Sequence, residues 1–139
     1  IEEANEEADA IIAALKGKNP SRGVYIDIES TVVYNAKFGS IYNSTARRTI
    51  TDVTKKVCQR LKDAGYSVGV YASESYFNSV LYTDELQGYM WVARYYSNTS
   101  NDQNTLDLNG KYPYKYWQYS SVGRVNGIST AVDMNTTVR

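Results

Sequence analysis

The stretch GVYIDIES, residues 23–30, decides how the rest of the chain is read. With a period of two, Val24, Ile26 and Ile28 fall on one face and Tyr25, Asp27 and Glu29 on the other. The apolar side predicts a strand packed on a core. The doubly acidic side predicts a face that is either solvated or lines a pocket.

Before this strand, residues 1–19 read as a helix. Ala4, Ala8, Ile11, Ile12 and Leu15 form its apolar stripe, acids crowd its N-terminal end, and Gly17 offers a stop. After it, a polar, turn-rich segment is expected from Asn35 to Ser44. STARRTITDVTKKVCQRLKDAGY, residues 44–66, carries the strongest helical pattern, with Ser44 or Thr45 as cap and Ile50, Val53, Val57 and Leu61 on one side. YSVGVYAS (66–73) reads as a buried strand, ESYFNSVLY (74–82) as a short amphipathic helix and YMWVARYY (89–96) as a strand. A polar loop spans residues 97–111. YKYWQYSS (114–121) and TAVDMN (130–135) are the last strands, joined around VGRVNG.

Alternating strands and helices predict parallel strands with helices outside. The fold class expected is α/β, a modified TIM-like barrel with fewer helices than strands, in one domain over residues 1–139. Yet the pattern supplies five strands, where a closed barrel of this kind has eight and uses about 250 residues.

Composition excludes several chemistries. Lys+Arg 15 balances Asp+Glu 15, so no net field draws the chain to nucleic acid or an anionic membrane, and neither is an expected partner. No apolar run is long enough to span a bilayer. The first residue is Ile1, not Met, which leaves a cleaved leader or a truncation open. With no histidine, Ser-His-Asp and Cys-His schemes are absent, as is the commonest zinc ligand. Cys58 is alone and reads as a buried helix residue. The 14 tyrosines suit either a core or a carbohydrate cleft. Asp102 and Asp107 lack calcium-loop spacing. Asn43, Asn98 and Asn135 open N-x-[ST] triplets of a kind common by chance in so polar a chain.

Three groups can carry chemistry. Asp27 and Glu29 project from one face at the end of a strand, about 6–7 Å apart between alpha carbons. Two carboxyls so placed repel, which raises the proton affinity of one, and a protonated carboxyl beside an ionised one is what glycoside cleavage uses. Asp133, between Val132 and Met134, is a second acid opposed to apolar neighbours. Tyr71, Trp91, Tyr95 and Trp117 stand near strand ends and are candidates for a sugar platform.

In order along the chain, YIDIE, AGYSVGVYAS with YF behind it, MWVARY and YWQYSSVGRVNGISTAVDMN resemble the lysozymes of glycoside hydrolase family 25, bacterial and phage-type muramidases. The resemblance runs through residues 23–135. It implies cleavage of the β-1,4 bond between N-acetylmuramic acid and N-acetylglucosamine in peptidoglycan glycan strands, at an extracellular or cell-wall location. By the same resemblance Glu29 is the general acid, Asp27 the carboxylate that assists the 2-acetamido group, and Asp133 the acid of the last strand. Tyr71 would reach the sugar in the cleaved subsite, with Trp91, Tyr95 and Trp117 near the groove. Either an acetamido-assisted or a carboxylate-nucleophile route is open, and neither needs a metal or organic cofactor. Family members begin with a strand carrying aspartate in a D-V-S-like motif and two further strands, which this sequence lacks. The chain is therefore expected to hold strands four to eight, with an N-terminal segment or a second chain completing the barrel. The alternative is a non-catalytic wall-binding or structural module that keeps the groove.

Overall fold

The computed structural model describes residues 2–29, 31–86, 88–95 and 113–137. The elements in chain order are α1 (Glu2–Leu15), β1 (Val24–Asp27), α2 (Val32–Phe38), α3 (Ser44–Asp63), β2 (Val68–Ser73), α4 (Glu74–Ser79), a 3-10 turn (Thr83–Glu85), β3 (Tyr89–Ala93), β4 (Tyr114–Gly123) and β5 (Val132–Thr137). Among the described residues they build one sheet in the order β1-β2-β3-β4-β5. The first three pairings are parallel and β4–β5 is antiparallel. The five strands expected are present and, among the described residues, their sheet is open: β1 and β5 lie at opposite ends of the strand order and do not pair. The expected loop at residues 97–111 lies outside the described residues.

The period of two read from GVYIDIES sorts the sheet into two faces. On the first, Ile26, Val70 and Met90 sit side by side in register and are buried. The apolar sides of α1 and α3 join the same core, where Ala4, Ala8, Ile50, Val57 and Leu61 are almost fully buried. Alanines on α1 let that helix approach α3 closely, and Arg60 of α3 ties the two by donating to Asn5 and Asp9. Cys58 is buried there, and burial pushes its thiol up to about 11, so it stays protonated. No helix among the described residues is long and apolar enough to cross a membrane.

Two local expectations change. The segment from Asn35 is in part helical, because its polar residues terminate helices instead of forming an irregular turn. The Asn35 side chain accepts from the Ile41 N–H at 2.9 Å, and the Asn43 amide donates to the Phe38 carbonyl at 2.8 Å. Asn43, not Ser44 or Thr45, caps α3, accepting from the Ala46 N–H at 2.8 Å.

The second face is aromatic. Trp91 meets Tyr25, Tyr71 and Tyr116 edge-on, with ring centroids at 5.6, 5.1 and 6.2 Å. Gly69 makes this possible. A β-carbon there would fall 2.4 Å from the Tyr25 ring, so only glycine lets Tyr25 lie across β2 toward Trp91.

Candidate active site

At the C-terminal ends of the parallel strands, this aromatic face opens into a hollow of about 330 Å³. Its lining includes Asp27, Glu29, Asp133, Tyr71, Trp91 and Tyr95. Six of the seven residues singled out from the sequence therefore come together, from β1, β2, β3 and its exit, and β5.

The backbone explains the meeting. Asp27 ends β1 beside Tyr71 of β2, and the Ile28 N–H donates to the Tyr71 carbonyl at 2.9 Å, extending the pairing by one residue. Glu29 follows on the same side, and the Tyr76 hydroxyl of α4 donates to its backbone carbonyl at 3.3 Å. Asp133 arrives by a different route. Because β5 runs antiparallel to β4, its beginning lies where the other strands end. The register shifts between Gln118 and Gly123 adjust which β5 residues face the hollow.

Trp117 is the exception and is corrected here. Between Tyr116 and Gln118 it must point to the opposite face, where it is buried in the core and its indole N–H donates to the Arg94 carbonyl at 3.0 Å. Two residues not singled out as site residues from the sequence, Tyr25 and Gln118, also line the hollow, and Asn135 supports it through Trp91. Gln118 lines the hollow while only 4% exposed. Asn135 accepts from the Trp91 indole N–H at 2.9 Å and so fixes that ring. The alternation that removes Trp117 selects Gln118, so the signal was present in YWQYS.

The acids are electrostatically coupled. Burial holds the Asp27 carboxyl above its usual range, and the Glu29 charge and a hydrogen bond to Glu29 add to the rise. Burial, then Tyr95 and Glu29, push the Tyr71 phenol up as well, so it acts as a neutral hydrogen-bonding group. Among the described residues no three acidic or thiol groups approach closely enough to hold a metal ion.

A stability prediction follows from Asp27. Its carboxyl binds a proton more tightly folded than unfolded, so between its ordinary value of 3.8 and the raised one the native state holds more protons, and stability falls as pH rises. Asp27→Asn removes that penalty. The variant is expected to melt above the parent at neutral pH, with the gain disappearing below the ordinary carboxylate range. Thermal unfolding across pH checks this, and a variant less stable at neutral pH contradicts it.

The model of glycosyl hydrolases family 25 matches residues 1–128. The chain belongs to that family. No curated protein matches the sequence. Among solved structures it is similar to the catalytic domain of an endolysin from a bacteriophage of Listeria monocytogenes, at 26% identity and TM-score 0.70, covering 98% of this chain and 61% of that one. It is also similar to the CTP1L endolysin, at 21% identity and TM-score 0.69, covering 97% of this chain and 41% of that one. The bacterial lysozyme from Streptomyces coelicolor matches at 21% identity and TM-score 0.54, covering 81% and 48%. The chain thus spans less than two thirds of each of these structures.

Proposed function

We propose that the chain is the active-site portion of a peptidoglycan hydrolase, a muramidase cleaving the β-1,4 bond between N-acetylmuramic acid and N-acetylglucosamine with retention. The observation that carries this reading is the convergence of Asp27, Glu29 and Asp133 on one hollow floored by Tyr71 and Trp91. Family membership and likeness to an endolysin catalytic domain support it.

Glu29 is the general acid: it protonates the glycosidic oxygen as the bond to the anomeric carbon breaks, and later takes a proton from the attacking water. Asp27 accepts the N–H of the 2-acetamido group, whose oxygen attacks the anomeric carbon from the opposite face. That contact requires Asp27 to be ionised. The incoming N–H offsets the burial and the neighbouring Glu29 charge that raise the proton affinity of Asp27. Asp133 faces the pair from β5 and adds negative charge where positive charge develops. Tyr71, Trp91 and Tyr95 offer ring faces and hydroxyls to the sugar.

The five strands are strands four to eight of a barrel whose remaining part covers the aromatic face. The length of the catalytic domain left unmatched and the exposure of Tyr89, 52%, on that face support this. The working polypeptide is therefore this chain with that part in place, and its site is extracellular or at the cell wall.

The test is digestion of purified peptidoglycan by that polypeptide, with products separated by mass. Fragments with N-acetylmuramic acid at the new reducing end are expected. New ends on N-acetylglucosamine, or binding to the wall with no reducing sugar released, would refute the assignment; the latter outcome would favour a wall-binding module.

A further inference from the structure

Gln118 has no part in the acid chemistry above, yet it is the most deeply buried polar group at the hollow, 4% exposed. Its side-chain oxygen accepts from the Tyr71 hydroxyl at 2.8 Å and from the Tyr95 hydroxyl at 2.8 Å. An amide oxygen has two lone pairs, and both are used. Its backbone carbonyl also accepts from the Arg94 N–H at 3.0 Å, anchoring β4 to the exit of β3. One side chain on β4 therefore holds a tyrosine from β2 and another from beyond β3.

We propose that Gln118 is the positioning residue of the sugar site, setting both the place and the hydrogen-bonding sense of Tyr71 and Tyr95. With both phenol protons committed to Gln118, each tyrosine offers the hollow oxygen lone pairs, not a proton. The rim therefore recognises donors on the substrate, sugar hydroxyls or an amide N–H. Tyr95 shows what depends on this. It lies beyond the end of β3 and is 51% exposed, and Gln118 gives its hydroxyl a fixed point. Tyr71 in turn packs edge-on against Trp91 at 5.1 Å, so the same contact steadies the ring platform.

The substrate arm of the test rests on the muramidase reading; the second arm does not. Gln118→Met keeps the length and removes the acceptor, whereas Gln118→Glu keeps an oxygen for both hydroxyls. With soluble peptidoglycan fragments, Gln118→Met is expected to raise KM about tenfold, the size of one or two net hydrogen bonds, with a smaller fall in kcat. Gln118→Glu should stay within about threefold of the parent KM. Tyr71→Phe should raise KM less in the Gln118→Met background than in the parent, because the contact that orients the hydroxyl is already gone. In the second arm, thermal unfolding without ligand is measured for Gln118→Met, Tyr95→Phe and the double variant, and the losses should again be non-additive. Additive losses in this cycle, or no rescue by Gln118→Glu, would overturn the proposal. Should the parent cleave no glycan, the muramidase reading fails and the unfolding cycle still decides the role of Gln118.

Discussion

Glu29→Gln is expected to lower turnover of cell-wall glycan by roughly 10²–10⁴-fold, the usual contribution of a positioned proton donor, while leaving the fold intact. The substitution is nearly isosteric and the Glu29 side chain is exposed, so no packing is lost. The contact that holds this end of β1 runs from the Tyr76 hydroxyl to the Glu29 backbone carbonyl, which the substitution does not touch. An amide cannot deliver the proton to the leaving oxygen, and it cannot take one from water in the second step. The loss should therefore fall mainly on kcat, with KM little changed. The measurement pairs steady-state release of reducing sugar with thermal unfolding of the same preparations. Turnover within a factor of two or three of the parent would remove Glu29 from the role. A large drop in melting temperature would instead make Glu29 a structural residue and leave the donor to be found elsewhere.

Asp27→Asn makes the useful contrast, since it removes the partner carboxyl without removing the donor. It should also lose turnover, because a neutral amide does not stabilise the positive charge spreading into the acetamido group. Its stability, however, should rise at neutral pH. Opposite signs for activity and stability in one variant mark a site where like charges are held together for chemistry at a cost to the fold.

Much of this arrangement could be read from YIDIE alone. A period-two stretch with apolar residues on one side and acids on the other has few folded solutions, and the core-facing set Val24, Ile26 and Ile28 was legible at once. Asp133 was harder. Its position depends on β5 running antiparallel and on register shifts opposite Ser120 and Gly123, neither of which leaves a mark in VDMN. The helix α2 was hidden because Asn35 and Asn43 look like turn formers in sequence, whereas in the fold Asn35 lies within α2 and accepts from the Ile41 N–H, and Asn43 caps α3. The openness of the sheet was legible as a shortage of strands, since counting elements requires no side-chain geometry. Trp117 was misread for a chemical reason: aromatic residues near strand ends suggest sugar platforms, and that suggestion outweighed the alternation that puts neighbours on opposite faces.

Trp117→Ala turns that misreading into the largest expected change in stability, a loss of about 3–5 kcal/mol, as for other large aromatic residues cut from a core. Trp117 is 8% exposed and belongs to the core cluster that includes Val92 and Ala72. It pairs in register with Val92 of β3 and Thr136 of β5, so its removal opens a cavity beneath three strands. Its indole N–H also donates to the Arg94 carbonyl at 3.0 Å, and losing that hydrogen bond adds about 0.5–1.5 kcal/mol. Against the 5–15 kcal/mol typical of a whole domain, roughly, such a loss removes a large share of the total. Urea unfolding at 25 °C should show a lower midpoint at unchanged slope. Trp117→Phe should recover part of the loss by refilling volume without restoring the hydrogen bond. Trp91→Ala supplies the opposite pattern: its ring lies on the aromatic face and lines the hollow, so weakened glycan binding should exceed its effect on the urea midpoint. If Trp117→Ala instead kept its midpoint and lost glycan binding, the face assignment of β4 would be wrong, and Gln118 would lose its place in the hollow with it.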